Sequence, residues 1–243
     1  MNIYTTLQRG TYHLNNCEDY LFHGNINPHT FVAAVMDGCT MGTDSHLIST
    51  LTGKLLRKIV KAKGYDDMRS LVNISPEEHL QDITRQLFAE LNALRNQIQL
   101  DRNELLTTLL LMVADYKADK AILLVIGDGA ISINGHVSIF DRDNKPDYIG
   151  YHLSEHFDSW YQRQYRIAFS NLLDISLATD GITSFKPFNP AVAPIDAIRF
   201  LLMDQEKSES DEMLNMKCKT LEHVYGMLPT DDLAIVRFLR KNS

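Results

Sequence analysis

The chain has 243 residues, 44% of them apolar and 23% charged, the balance of an ordinary globular protein able to bury about three quarters of the surface its unfolded chain exposes. A net charge of −7 supplies no basic footprint for nucleic acid and no polybasic patch for a membrane. Cys17, Cys39 and Cys218 lack CxxC spacing and speak for a reducing compartment, and neither a signal peptide nor an apolar run of roughly 20 residues is present, so a single cytoplasmic domain over residues 1–243 is expected.

In chain order, Phe31 to Met36 reads as a buried strand running into Asp37-Gly38. From Asp44 to about Lys63, Leu47, Leu51, Leu55 and Ile59 recur every four residues, which predicts a helix that Gly64 is placed to end. Ser75, Pro76 and Glu78 form a capping-box pattern that opens a second helix, with Leu80, Ile83, Leu87, Leu91, Leu94 and Ile98 as its apolar stripe. Leu105 to Val113 and Lys120 to Ile126 read as strands joined by a turn at Tyr116 to Asp119. Ala130 to Asn134 and His136 to Phe140 form a hairpin around Asn134-Gly135.

The Asp141 to Pro146 stretch is turn-rich, and Tyr148 to Arg166 reads as an irregular loop or surface excursion. Leu173 to Thr179 is a strand into Asp180-Gly181. Helices follow near Pro194 to Met203 and Ser210 to Gly226, and Leu233 to Leu239 closes the chain as a strand. This order does not alternate βαβ, so it predicts an α+β layered fold with largely antiparallel sheets.

Carboxylates recur at the strand ends: Cys17-Glu18-Asp19, Met36-Asp37-Gly38, Ile126-Gly127-Asp128-Gly129, Thr179-Asp180-Gly181 and Thr230-Asp231-Asp232. One Asp-Gly is usually only a turn. Three after apolar strands, with two carboxylate pairs beside strands, predict oxygen ligands converging on hard divalent ions such as Mg or Mn. Two such ions about 3.5–4 Å apart can share a bridging carboxylate and activate a water against phosphorus.

The ordered series resembles the metal-dependent protein phosphatases of type 2C, from Gly10 to Phe238. Gly10-Thr11-Tyr12-His13 with Cys17-Glu18-Asp19 is similar to the family's first motif, in a form with His and Cys seen in a bacterial branch. Val35-Met36-Asp37-Gly38 resembles the second, and Leu106-Thr107-Thr108 stands where Gly-Thr-Thr is usual. Val125 to Ala130, Leu177 to Ile182 and Thr230 to Val236 resemble the later motifs.

The resemblance implies a central antiparallel β-sandwich flanked by helix pairs, an αββα four-layer arrangement with the metals in a cleft at one end. It implies that Asp37 bridges two Mg or Mn ions and that the Gly38 carbonyl ligates one of them. Asp180 and Asp231 hold the first ion, Glu18 or Asp19 serves the second, and Asp128 belongs to a weaker third. The implied reaction is hydrolysis of phosphoserine or phosphothreonine in a phosphorylated protein, opposite a serine/threonine kinase, by activated water and without a phosphoenzyme.

Three departures stand out. Where the family has a phosphate-gripping Arg, the nearest candidates are His13 and Leu14, and His13 is the candidate to contact phosphate or donate a proton. Ser184 stands where a further Asp is usual, so a third ion rests on Asp128. The turn after the second motif reads Cys39-Thr40-Met41-Gly42. A catalytically weak or silent phosphatase-like sensor is the alternative reading, and a phosphatase of small phosphomonoesters is a third.

Overall fold

The computed structural model describes residues 2–40, 45–69, 74–141, 146–189 and 191–240. One five-stranded sheet has the order β2-β3-β4-β5-β8, from β2 (Asp19–Asn25), β3 (Thr30–Asp37), β4 (Leu109–Asp115), β5 (Lys120–Ile126) and β8 (Tyr165–Ser170). The other has the order β1-β12-β9-β6-β7, from β1 (Asn2–Gln8), β6 (Gly129–Ile133), β7 (His136–Phe140), β9 (Asp174–Ala178) and β12 (Leu233–Leu239). Every neighbouring pair is antiparallel, and a short ribbon pairs β10 (Phe185–Pro187) with β11 (Met227–Pro229).

Alternation along β3 explains the layering. Phe31, Ala33 and Val35 enter one buried cluster with Leu110, Met112, Leu123, Leu177 and Val236, the interior between the sheets. Val32, Ala34 and Met36 enter another with Ile48, Leu56, Leu80, Ile83 and Leu87, under helices α1 (Ser45–Asp67) and α2 (Pro76–Ile98). Successive side chains of a strand point to opposite faces, so an unbroken apolar run means that both faces are covered. The second sheet is covered by α5 (Ala197–Leu202) and α6 (Met213–His223), where Leu201, Leu202, Met213, Leu214 and Leu221 meet Tyr4, Ala178 and Ile235. The result is helices, sheet, sheet, helices, as expected.

Helix α2 starts as its sequence dictates. Glu78 N donates to Ser75 Oγ at 3.3 Å and Ser75 N to Glu78 Oε2 at 2.8 Å, which satisfies two of the amide groups that a helix start leaves open. Leu80, Ile83, Leu87 and Leu91 are buried, while Ile98 is exposed. The ion pairs Lys58–Glu90 and Lys63–Asp82 run α1 and α2 antiparallel. The hairpin at Asn134-Gly135 has φ of 50° and 84°, the left-handed pair that a type I′ turn requires.

Helix α1 differs from expectation in face and length. Its buried large apolar residues are Ile48, Leu56, Ile59 and Val60, with Leu47 exposed. Gly53 sets that face: a Cβ there would lie 2.3 Å from the Tyr20 ring, so the helix lies on β2 by this line. Gly64 stays inside the helix, against the Ile26 carbonyl, and the run ends at Asp67. The expected start at Asp44 lies outside the described residues, as do Met41-Gly42 and residues 142–145.

The stretch read as an irregular excursion is structured. It holds α3 (Ile149–His152), α4 (Phe157–Arg163) and then β8. Trp160 is fully buried, its ring centroid 4.2 Å from that of Phe88 on α2. The strand expected from Leu105 starts at Leu109 instead, because Thr107 and Thr108 hydrogen bond to Asp37.

Candidate active site

The two sheets bring their acidic ends to one edge of the sandwich. Asp19 opens β2 directly opposite Asp37, which closes β3. β9 delivers Thr179 and then a 3-10 turn, Asp180 to Thr183, while Asp231 and Asp232 lead into β12. Thr179 joins the sheets: its hydroxyl donates to Asp19 Oδ2 at 2.5 Å and accepts from Ala234 N at 2.9 Å.

These carboxylates disturb one another. Burial pushes Asp37 well above the ordinary carboxylate range, and the charges of Asp19 and Asp180 push it further. Burial does the same to Asp19, opposed by the Thr179 hydrogen bond. Asp180 is pushed up to about 6, first by burial and then by Asp231 and Asp128. Buried like charges cannot all ionise without a counter-charge, which a bound cation would supply.

The backbone around Asp37 is fixed on both sides. Its carbonyl accepts from Thr108 N at 2.8 Å and Thr107 Oγ1 at 2.9 Å, and its N–H donates to Thr108 Oγ1 at 3.0 Å. Cys39 N donates to Leu106 O at 2.9 Å. Because the N–H and C=O of one planar peptide point oppositely, the Gly38 carbonyl is turned away from Leu106.

On the other wall, Gly10 lies against the backbone of Asp231, where a Cβ would come within 2.3 Å of the Asp231 carbonyl carbon. Gly10 N donates to Asp232 Oδ1 at 2.7 Å, and Glu18 N donates to Asp232 Oδ2. His13 packs into the same corner, with Nδ1 2.9 Å from Asp232 Oδ2, Nε2 3.2 Å from Asp231 Oδ1, and Glu18 Oε2 4.0 Å from Nδ1. Ser184 accepts from Asp231 N at 3.1 Å and donates to Gly181 O at 2.8 Å. Gly181 must be glycine, since a Cβ would lie 1.8 Å from Asp232 O.

The expected residues therefore fall into three adjoining groups. Asp19, buried, pairs with half-buried Asp37; Asp180, Asp128 and Asp231 interact through charge; and His13 bridges Asp231, Asp232 and Glu18. Among the described residues, no three His, Cys, Asp or Glu side chains are gathered closely enough to hold one ion as they stand. The donors are nonetheless all hard oxygens in mutual repulsion, the set that suits Mg or Mn.

Sequence reasoning missed Asp232 and Thr179 as organisers of the site. Asp232 was visible as the second member of an acidic pair. Thr179 was visible as a hydroxyl placed just before a strand-end Asp-Gly.

Comparison with known proteins gives a consistent picture. A family model described as Protein phosphatase 2C matches residues 9–216, a span that holds His13, Glu18, Asp19, Asp37, Asp128 and Asp180 but stops short of Asp231. By sequence, no curated protein matches. Among solved structures, the S. agalactiae serine/threonine phosphatase is 12% identical with a TM-score of 0.64, over 98% of this chain and 99% of that one. RsbX in complex with magnesium is 14% identical with a TM-score of 0.57, over 97% and 92%. The SpoIIE fragment from Bacillus subtilis, phosphatase domain plus part of a regulatory domain, is 16% identical with a TM-score of 0.58, over 97% of this chain, which spans only 62% of that fragment. Likeness at these identities is likeness of fold.

Proposed function

The chain belongs to the protein phosphatase 2C family, and from that premise we propose that it is a Mg- or Mn-dependent serine/threonine protein phosphatase. The observation that supports this most is the Asp19–Asp37 pair, a buried and a half-buried carboxylate opposite each other, with Asp180 close enough to raise Asp37 by its charge. When bound, two Mg or Mn ions would supply a water of lowered pKa and positive charge against the transferring phosphoryl group.

This chain's residues then have distinct tasks. Asp37 would bridge the two ions, with the Gly38 carbonyl, Asp180 and Asp231 on the first. Glu18 or Asp19 would serve the second, and Asp128 would belong to a weaker outer site. Thr179 orients Asp19, and Ser184 holds the Asp231 backbone. His13 has Nδ1 on Asp232 and Nε2 on Asp231, so it would serve as the acid to the departing serine or threonine oxygen where the substrate displaces Asp231 from Nε2. The substrate would be a phosphorylated protein in the cytoplasm, modified there by an opposing kinase, and the domain would act as one unit over residues 1–243.

The test is release of phosphate from a phosphothreonine peptide by Asp37→Asn and Asp180→Asn. Each should lower kcat about a hundredfold or more, as removal of a transition-state stabiliser does. Full activity in both would overturn the assignment. One observation favours a second reading, a weak or silent phosphatase-like sensor: His13 Nε2 already engages Asp231. Wild-type protein that binds the peptide in saturating Mn but turns over no phosphosubstrate would support it.

A further inference from the structure

Lys186 stands on β10 in register with Leu228 of β11, two residues after Ser184, which holds Asp231. The segment bearing Tyr12 runs beside the same ribbon, with Thr11 N on Pro229 O at 3.1 Å and Tyr12 N on Thr230 O at 3.0 Å. Their side chains meet over it: Lys186 Nζ lies 5.5 Å from the centroid of the Tyr12 ring. Tyr12 is 71% exposed, so the pair stands in solvent, with Tyr12 next to His13 in the chain and its backbone bonded to Thr230, the neighbour of Asp231.

A substrate phosphate dianion needs a cation at this acidic mouth. His13 is engaged through both ring nitrogens with Asp231 and Asp232. Arg9 is tied within its own loop, Nη1 on the Leu14 carbonyl at 2.9 Å. Among the described residues Lys186 differs from His13 in having no carboxylate partner and from Arg9 in having no hydrogen bond, only the ring beneath it. An exposed cation–π contact contributes about 0.5–1 kcal/mol, enough to steer a flexible lysine. Unlike a salt bridge, it leaves the charge uncancelled.

We propose that Lys186, steered by Tyr12, receives the phosphate group of the substrate at the mouth of the site, in the place for which the sequence had suggested His13. The proposal rests on the phosphatase reading above and names the substrate contact of that same site.

The experiment compares wild type, Lys186→Met, Lys186→Arg and Tyr12→Leu with Mn on a phosphothreonine peptide and on p-nitrophenyl phosphate, with inorganic phosphate as competitive inhibitor. Lys186→Met should raise KM for both substrates and Ki for phosphate about tenfold, the loss of one charge-assisted contact, with kcat little changed. Lys186→Arg should restore most of the loss, and Tyr12→Leu should show a smaller rise. Unchanged KM and Ki in Lys186→Met, with active wild type, overturn the proposal and leave the phosphatase reading standing. If wild type proves inactive, the phosphatase reading fails, and fluorescence anisotropy with phosphorylated and unphosphorylated peptide decides: selective binding that Lys186→Met weakens supports the contact, and equal binding by both proteins overturns it.

Discussion

Asp19 and Asp37 face each other across the β2–β3 ladder, the first residue of one strand opposite the last of the next. Like charges directly opposite destabilise a sheet, and burial makes the conflict worse. A fold that keeps such a pair at a strand end does so at a cost that a cation can offset.

That conflict has a pH signature in metal-free protein. Asp180 has its carboxyl raised to about 6 by burial and by its acidic neighbours. Its contribution to stability is therefore present below about pH 4, the unfolded value, and is lost as pH rises through about 6. Asp19 and Asp37 are shifted in the same direction. Metal-free Asp180→Asn should hold its Tm better than wild type between pH 4 and 7 when both are followed by circular dichroism. Mn should raise the wild-type Tm more at pH 7.5 than at pH 5. A variant and a wild type that fall in parallel would contradict this.

Gly181→Ala tests the close approach of the 3-10 turn to the loop before β12. Its Cβ would lie 1.8 Å from backbone oxygen of Asp232, and backbone cannot rotate aside as a side chain can. A loss of about 3 kcal/mol, the upper end of overpacking costs, should lower Tm by roughly 10 °C in a chain of this size. Calorimetry on the purified variant measures it directly, and an unchanged Tm would sink the packing argument.

Much of this architecture was legible in the chain. The capping box at Ser75, the I′ turn at Asn134-Gly135 and the apolar runs of β3, β5 and β12 each carry a local physical signal, and each formed. What escaped depends on tertiary contact. The buried face of α1 is set by Gly53 against Tyr20, and α4 is set by Trp160 against Phe88; neither leaves a period in the sequence. At the site, the strand-end aspartates were readable because Asp-Gly after an apolar run is a local pattern. The partners of Asp232 come from Gly10, His13 and Glu18, more than 200 residues away, such as the 222-residue separation from Gly10, and no local pattern encodes them.

Ser184 illustrates the difference. Its position was read as a lost carboxylate, yet its hydroxyl joins Gly181 to Asp231. Ser184→Ala should cost about 1 kcal/mol, the usual net worth of such a hydrogen bond, and should weaken Mn binding several-fold by loosening Asp231. Isothermal titration with Mn beside a denaturant melt separates the two effects. Unaltered Mn affinity would show that Asp231 needs no such support.

We propose that the acidic edge of this sandwich is a metal-dependent phosphatase centre. Phosphate release from a phosphothreonine peptide by wild-type protein, first in saturating Mn and then after removal of all divalent ions with a chelator, tests it most directly. Turnover with Mn should fall about a hundredfold or more on chelation and return when Mn is restored. Folded, metal-saturated protein that releases no phosphate, or turnover indifferent to the chelator, would contradict it.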